Sequence, residues 1–300
     1  MTNSPFPYFG GKRRVAPMVW QAFGKVDRYI EPFFGGGAVM LGNPSPAKWE
    51  IINDRDCYVA NFWRASKMDP DAVAEYADWP INQCDLSARH RWLKNQVDFR
   101  ERMLTDPDYF DAKIAGWWVW GICQWIGRGW CVDGESRKRP FVSNRRGVLS
   151  GQRQELNHPM GVLAHDDIRE TMTQLASRLR NTMVLCGDWS ACVGSATVLG
   201  KIHAGTAVFL DPPYAHSTGR DPKLYREEMP ITAAVGDWCR EHGHIRVALC
   251  GLEGEYDLPG WTVQHWKSRG GYSTNGGNGE VNSVRERIWF SPACNRVALL

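Results

Sequence analysis

Nowhere does this chain carry a run long and apolar enough to cross a bilayer. Its most apolar stretch, residues 115–126, includes Gly116, Gly121 and Gln124 and is followed by Arg128, whereas a spanning helix needs about 20 apolar residues. A buried helix is expected there, and no membrane role. Also missing is any Cys-x-x-Cys pair among the nine scattered cysteines, which removes the usual zinc and dithiol signatures. An odd cysteine count without a signal-peptide pattern predicts reduced thiols in a cytoplasm, in an intracellular rather than a secreted protein. Cys239, His242 and His244 lie close together, but no second ligand pair at zinc spacing follows, so no metal is expected. A third absence concerns glycine: counted from Gly35 and Gly37, the last position of a Gly-x-Gly-x-x-Gly fingerprint is Met40, which disfavours a nicotinamide or flavin dinucleotide. Nor is disorder expected, since 300 residues with 43% hydrophobic and 23% charged content can build a large domain or a core plus an insertion.

The net charge is only +3, yet residues 128–153 hold Arg128, Arg137, Lys138, Arg139, Arg145, Arg146 and Arg153 against Asp133 and Glu135, a local net of +5. The remainder is therefore close to −2, and the basic charge is concentrated where a polyanion could be gripped. Trp125, Trp130 and Phe141 interleave with these cations, a mixture that favours nucleic acid over a plain solvated loop.

Residues 206–214 carry the sharpest chemical signal, Thr-Ala-Val-Phe-Leu-Asp-Pro-Pro-Tyr. The first five are β-branched, aromatic or apolar and short enough for a buried parallel strand, so Asp211 should emerge at a strand's carboxyl end, where open α/β sheets bind ligands. Pro212 and Pro213 stiffen the turn and leave the carbonyls of Asp211 and Pro212 free of local helical pairing. A carboxylate and a carbonyl can accept two hydrogen bonds from an exocyclic NH2, while Tyr214 offers a flat face for the ring that bears it. The arrangement suits a planar amine.

The start of the chain reads Phe6-Pro7-Tyr8-Phe9-Gly10-Gly11-Lys12, then a helical stretch to about Gly24, then a short strand over 28–31. Pro32-Phe33-Phe34-Gly35-Gly36-Gly37 follows, a turn whose glycines let the backbone approach a ligand before a helix opens at Ala38. A second strand over 49–53 ends at Asp54, about twenty residues beyond the glycines, where an acid suits the hydroxyl pair of a ribose. From about 61 to 181 the pattern turns helical and charged and looks inserted. Trp117, Trp118, Trp120 and Trp125 are expected in the core of that insert. Strands resume at 182–186, before Gly187-Asp188-Trp189, and then at 206–210 and 245–249, and 261–266 is expected to pair with 286–290. The polar, glycine-rich 268–279 between the last two reads as a hairpin connection, because no helix pattern follows it.

Phe9-Gly10-Gly11-Lys12, Glu31-Pro32-Phe33-x-Gly35-x-Gly37, Asp54, Gly187-Asp188-Trp189 and Asp211-Pro212-Pro213-Tyr214, in that order, resemble the motif set of the Dam-type, or D12 class, DNA adenine N6-methyltransferases. The resemblance implies a Rossmann-like α/β sheet of seven strands with the last antiparallel, a discontinuous catalytic domain over 1–60 and 182–300, and a mainly helical target-recognition insert over 61–181. It implies S-adenosylmethionine as cofactor, S-adenosylhomocysteine as product and no metal. Glu31, Pro32, Phe33, Gly35 and Gly37 would hold the methionine end, Asp54 the ribose and Asp188 the adenine amine. Tyr8, Gly10, Gly11 and Lys12 would flank the cofactor and target pocket, and Trp189 would stand as an aromatic wall where the family more often has phenylalanine. Asp56 departs from the usual Asp-x-Asn step.

On this resemblance the substrate is DNA, expected double-stranded, and the target adenine must be flipped out and stacked on Tyr214 before N6 can meet a sulfonium methyl. Asp211 and the Pro212 carbonyl orient the amine for direct displacement. Rival readings are a cytosine N4-methyltransferase with the same pocket, or a DNA-binding protein with a silent methyltransferase fold. Asp211 at the head of its motif favours adenine, and the retained carboxylate and glycines disfavour a silent pocket. A restriction-modification setting fits the family. Replacing Arg137, Lys138 and Arg139 together by alanine is expected to flatten the log-log salt dependence of DNA affinity, by up to about 2.7 if each meets one phosphate; filter binding over a salt series checks it, and an unchanged slope would place these residues away from the duplex.

Overall fold

The computed structural model describes residues 4–8, 12–125, 130–131, 167–194, 205–213, 231–266 and 285–295. Expectations placed on Gly10, Gly11, Tyr214, Arg128, Arg137, Lys138, Arg139, Arg145 and Arg146, and on the stretch 268–279, lie outside the described residues. Contacts divide the chain into two units, one made of Phe9–Arg55 and Asn181–Leu300 with Met1, the other of Thr2–Tyr8 and Asp56–Arg180.

The first unit is built on a seven-stranded sheet of β1 (Arg28–Glu31), β2 (Trp49–Asp54), β3 (Thr182–Cys186), β4 (Thr206–Leu210), β5 (Arg246–Leu252), β6 (Thr262–His265) and β7 (Glu286–Phe290), in the order β3-β2-β1-β4-β5-β7-β6. The strands β3, β2, β1, β4 and β5 run parallel, and β7 is antiparallel to both β5 and β6. This is the α/β sheet expected from the sequence, including its antiparallel last strand. Burial follows position. Central β4 is buried at every residue, whereas edge strands β3 and β6 expose Met183 and Val263. That difference follows from position, since a central strand is covered on both faces and both edges while an edge strand is not. Ile30, Ile51, Val208, Leu210, Val247 and Leu249 form one core with Val235 and Cys239 of helix α10 (Thr232–Glu241). At about 25 cal/mol per Å² of apolar area removed from water, such side chains supply most of the drive to fold.

The order reverses at β1, which pairs with β2 on one side and β4 on the other. Glu31 ends β1 and Asp211 follows β4, so both stand at the carboxyl ends of the two strands that flank the switch point, where sheets of this kind open a crevice.

The second unit is helical. Among the described residues its elements are α3 (Cys57–Met68), α4 (Pro70–Ala77), α5 (Gln83–Lys94), α6 (Phe99–Thr105), α7 (Ala112–Ile122) and α8 (Ile168–Arg178), numbered after α1 (Ala16–Phe23) and α2 (Ala38–Leu41) of the first unit, to which α9 (Ser190–Val193) also belongs. Asp56, Asp69, Asn82, Asp111 and Asp167 each accept a backbone N–H at a helix start, the capping chemistry that sets these boundaries. Phe62, Trp63, Trp118 and Trp120 are fully buried together with Phe6. Trp117 and Trp125 are only half-buried, because neighbours on a helix point about 100° apart and Trp125 falls beyond the end of α7. The exposed side of Trp117 instead carries the cations of Arg89 and Lys113, 4.9 Å and 4.5 Å from its ring centroid.

Helix α7 packs against α4 at Gly116, where an added Cβ would lie 2.4 Å from Tyr76 Cβ and 2.7 Å from the Val73 carbonyl oxygen. Neither neighbour can swing away. Gly116→Ala is expected to destabilise the protein by about 1–3 kcal/mol through overpacking, despite the better helix propensity of alanine. A urea unfolding curve checks it, and an unchanged midpoint would mean the two helices separate at no cost.

Candidate active site

The turns at the carboxyl ends of β1, β2 and β3 are tied together through one buried amide. Asn53 Nδ2 donates to the carbonyls of Pro32 and Gly187, both at 3.0 Å, while the backbone carbonyl oxygen of Asn53 accepts from Phe34 N at 3.0 Å. Asp54 adds two further links: Oδ2 accepts from Gly35 N at 2.8 Å, and its carbonyl oxygen accepts from Gly187 N at 3.2 Å. Gly35, Gly37 and Gly187 have φ of 50°, 66° and 147°, values that a β-carbon disfavours. The glycine turn therefore has a fixed shape, and Gly37 delivers the chain directly into α2.

Sequence reasoning placed Asp54 beside a ribose; the structure also gives it the task of holding Gly35. The part played by Asn53 was missed. Its signal was present, a polar amide at the end of the apolar pair Ile51-Ile52, and it is only 2% exposed. A buried amide in a strand demands partners. Asp56, which breaks the family's pattern, is consumed as the cap of α3, accepting from Tyr58 N at 2.9 Å.

Aromatic faces line the same edge of the sheet. Phe33 stacks on Trp189 with centroids 5.9 Å apart and planes at 26°, so Trp189, itself part of the buried core, sits against the turn after β1. Beside it Asp188 is exposed and accepts from the backbone N and the hydroxyl of Ser190 through Oδ1. Tyr8 lies in the helical unit, its ring edge-on to Phe6 at 6.0 Å.

Three charged groups meet near the switch point. Lys12 is 5% exposed and its Nζ lies 2.9 Å from Asp211 Oδ1, and the same ammonium sits 5.6 Å from the ring centroid of Trp266. Glu31 is fully buried and accepts from the Tyr29 hydroxyl at 2.7 Å. Burial pushes the Glu31 carboxyl well above its ordinary range; the Tyr29 hydrogen bond opposes that shift, and the neighbouring Asp211 charge adds to it. Pro212 is buried and Pro213 half-buried directly after Asp211.

Cys239 does not join a ligand set. It is buried in the core, its thiol pushed up to about 12 by burial, and His242 stacks on Trp238 with centroids 4.2 Å apart. Among the described residues no group of three or more histidine, cysteine or acidic side chains could hold a metal ion, and no helix is long and apolar enough to cross a membrane.

The family model described as D12 class N6 adenine-specific DNA methyltransferase matches residues 8–106. The match agrees with the resemblance carried by the motifs, and it holds the glycine turn and Asp54 but ends before Asp188 and Asp211. The activity that the family implies is adenine-specific methylation of DNA. No curated protein matches the chain.

Glu31 generates a measurable consequence. A carboxyl that is protonated when folded and ionised when unfolded makes stability fall as pH rises above the unfolded value, 4.5 for glutamate. Glu31→Gln, which cannot ionise, is expected to gain stability relative to the parent as pH is raised from about 4 to about 8. Urea unfolding without cofactor across that range checks it, and a gap that stays constant would show that Glu31 is ionised in the fold.

Proposed function

We propose, on the match of residues 8–106 to the D12 class of adenine-specific DNA methyltransferases, that the protein transfers a methyl group from S-adenosylmethionine to N6 of an adenine flipped out of double-stranded DNA. The observation that carries this reading is the placement of Asp211 just after β4, across the switch point from Glu31 and the glycine turn. Methyl donor and target amine would thus be held by neighbouring strand ends.

The donor set fits the cofactor. Gly35 and Gly37 supply a turn that a ligand can approach closely, Asp54 an acceptor for ribose hydroxyls, and Asp188 a carboxylate whose Oδ2 accepts from no described residue. Phe33 and Trp189 offer aromatic faces for a purine, and the buried Glu31 stands ready for a cationic end. When bound, S-adenosylmethionine supplies an electrophilic methyl group. Asp211 and the Pro212 carbonyl accept the two N6–H bonds, which turns the nitrogen lone pair toward that methyl. Were the methyl to pass from sulfur to N6, with the carbon–sulfur pair left on sulfur, the Asp211 carboxylate would stabilise the cationic amine until its proton leaves to solvent. No covalent enzyme intermediate is required. Tyr214, next in the motif, would stack on the flipped base, and the basic segment with Arg128, Arg137, Lys138, Arg139, Arg145 and Arg146 would meet the phosphates.

Purified protein incubated with unmethylated genomic DNA and methyl-labelled S-adenosylmethionine is expected to yield N6-methyladenine as the dominant labelled base after digestion and mass spectrometry. Asp211→Asn should lower turnover by about a hundredfold or more while keeping cofactor affinity, since it removes a charge-assisted acceptor in the transition state. Label mainly in N4-methylcytosine would overturn the choice of base, and label in neither base would overturn the enzyme reading.

A further inference from the structure

We propose that Lys12 is a positioning residue that acts through Asp211, holding one carboxylate oxygen so that the other meets the target amine. The inference rests on the methyl-transfer reading of Asp211.

The case begins with the cost of burying an ammonium. Lys12 is 5% exposed, and a lone cation out of water costs several kcal/mol unless it is paired. Its partner is Asp211 Oδ1 at 2.9 Å, and the face of Trp266 closes over the same ammonium at 5.6 Å, within the range in which an indole attracts a cation. Both ends of the contact are anchored. The Lys12 carbonyl accepts from Val15 N and Ala16 N, each at 3.1 Å, at the entry to α1, and Asp211 is fixed between β4 and Pro212, whose ring sets φ.

What remains of Asp211 is turned to use. Its side chain is 21% exposed, and Oδ2 accepts no hydrogen bond from a described residue. An aspartate whose carboxylate can rotate would present either oxygen at any angle, whereas a charge-assisted bond to Oδ1 fixes the plane and leaves Oδ2 as the acceptor. Fixing an acceptor before substrate arrives is how geometry lowers a barrier.

Lys12 itself is a poor direct participant. A lysine ammonium has three donors and no acceptor, so it cannot receive an N6–H bond or take the proton that the amine loses. Nor does a buried cation suit contact with a sulfonium. The contact that the structure gives its ammonium is to Asp211 Oδ1, and its chemistry suits holding that carboxylate.

The test is a double-mutant cycle on turnover with unmethylated genomic DNA and labelled S-adenosylmethionine, using Lys12→Met, Asp211→Asn and the pair. Lys12→Met is expected to lower kcat by about tenfold to a hundredfold, the cost of a misplaced reacting group, with cofactor affinity by calorimetry kept within about twofold of the parent. The double variant should turn over no more slowly than Asp211→Asn alone, because a residue acting through Asp211 has nothing left to act on. Lys12→Gln serves as a second variant if the methionine side chain prevents folding. Additive losses, or a Lys12→Met loss confined to cofactor affinity, would overturn the assignment and leave the methyl-transfer reading standing. Normal turnover in Asp211→Asn would overturn both.

Discussion

The two hydrogen bonds from Asn53 Nδ2 are the constraint on which the candidate site depends. Carbonyls in a turn have no helix or ladder partner, and a buried one left bare costs as much as a lost hydrogen bond. Asn53 meets two of them at once, on Pro32 and Gly187, and in doing so locks the turns after β1 and β3 to the strand between them. Asp54 then holds Gly35 from the same strand end. Five residues, Pro32, Gly35, Asn53, Asp54 and Gly187, thereby share one frame. The left-handed glycines matter because of this frame: a permissive residue without it would give a flexible loop, and with it gives a defined concavity.

Charge at the switch point is balanced in a way that depends on burial. Glu31 and Asp211 end adjacent strands, and two neighbouring carboxylates cannot both be charged in a dry site without compensation. Burial drives Glu31 toward its neutral form, while Lys12 neutralises Asp211. The two acids are thus differentiated by surroundings rather than by type. One is fully buried with a tyrosine hydroxyl on it; the other is partly open and paired with an ammonium. A ligand bringing positive charge next to Glu31 would work against its burial, so the energy of that interaction is linked to proton loss.

The sheet was legible because each parallel strand is a short β-branched or apolar run stopped by glycine, proline or acid, and strands at 28–31, 182–186 and 206–210 coincide with the structure. The strand expected over 245–249 runs on to Leu252. The strand continues through Gly251 because β7 extends far enough to pair with it, Gly251 opposite Arg287, and Tyr256 fills the space a side chain would take. The interactions that shape the site were less legible. Lys12 and Asp211 are almost two hundred positions apart in sequence, and nothing in the pattern around either says that they meet. Asn53 carried a local signal but no indication of its partners. Motif reading finds residues whose type is unusual for their element; it does not find the pairings, because those are fixed by the order of strands in the sheet.

Asp56 shows how the helical unit can be accommodated between β2 and β3. Parallel neighbours always need a crossover, so some connection from Asp54 to Thr182 is required whatever its length. The cost of closing a loop grows only as the logarithm of its length, about 0.6 kcal/mol per doubling for a flexible one, and a folded connection that buries Phe62, Trp63 and Trp118 restricts the chain further. The extra residues therefore add little burden to the sheet. What the junction does need is a clean start for the first helix, and Asp56 supplies it by accepting from Tyr58 N. A carboxylate committed to a helix cap is a poor candidate for a ligand contact at the same time. The departure from an Asp-x-Asn step thus has a local cause, the cap that starts α3.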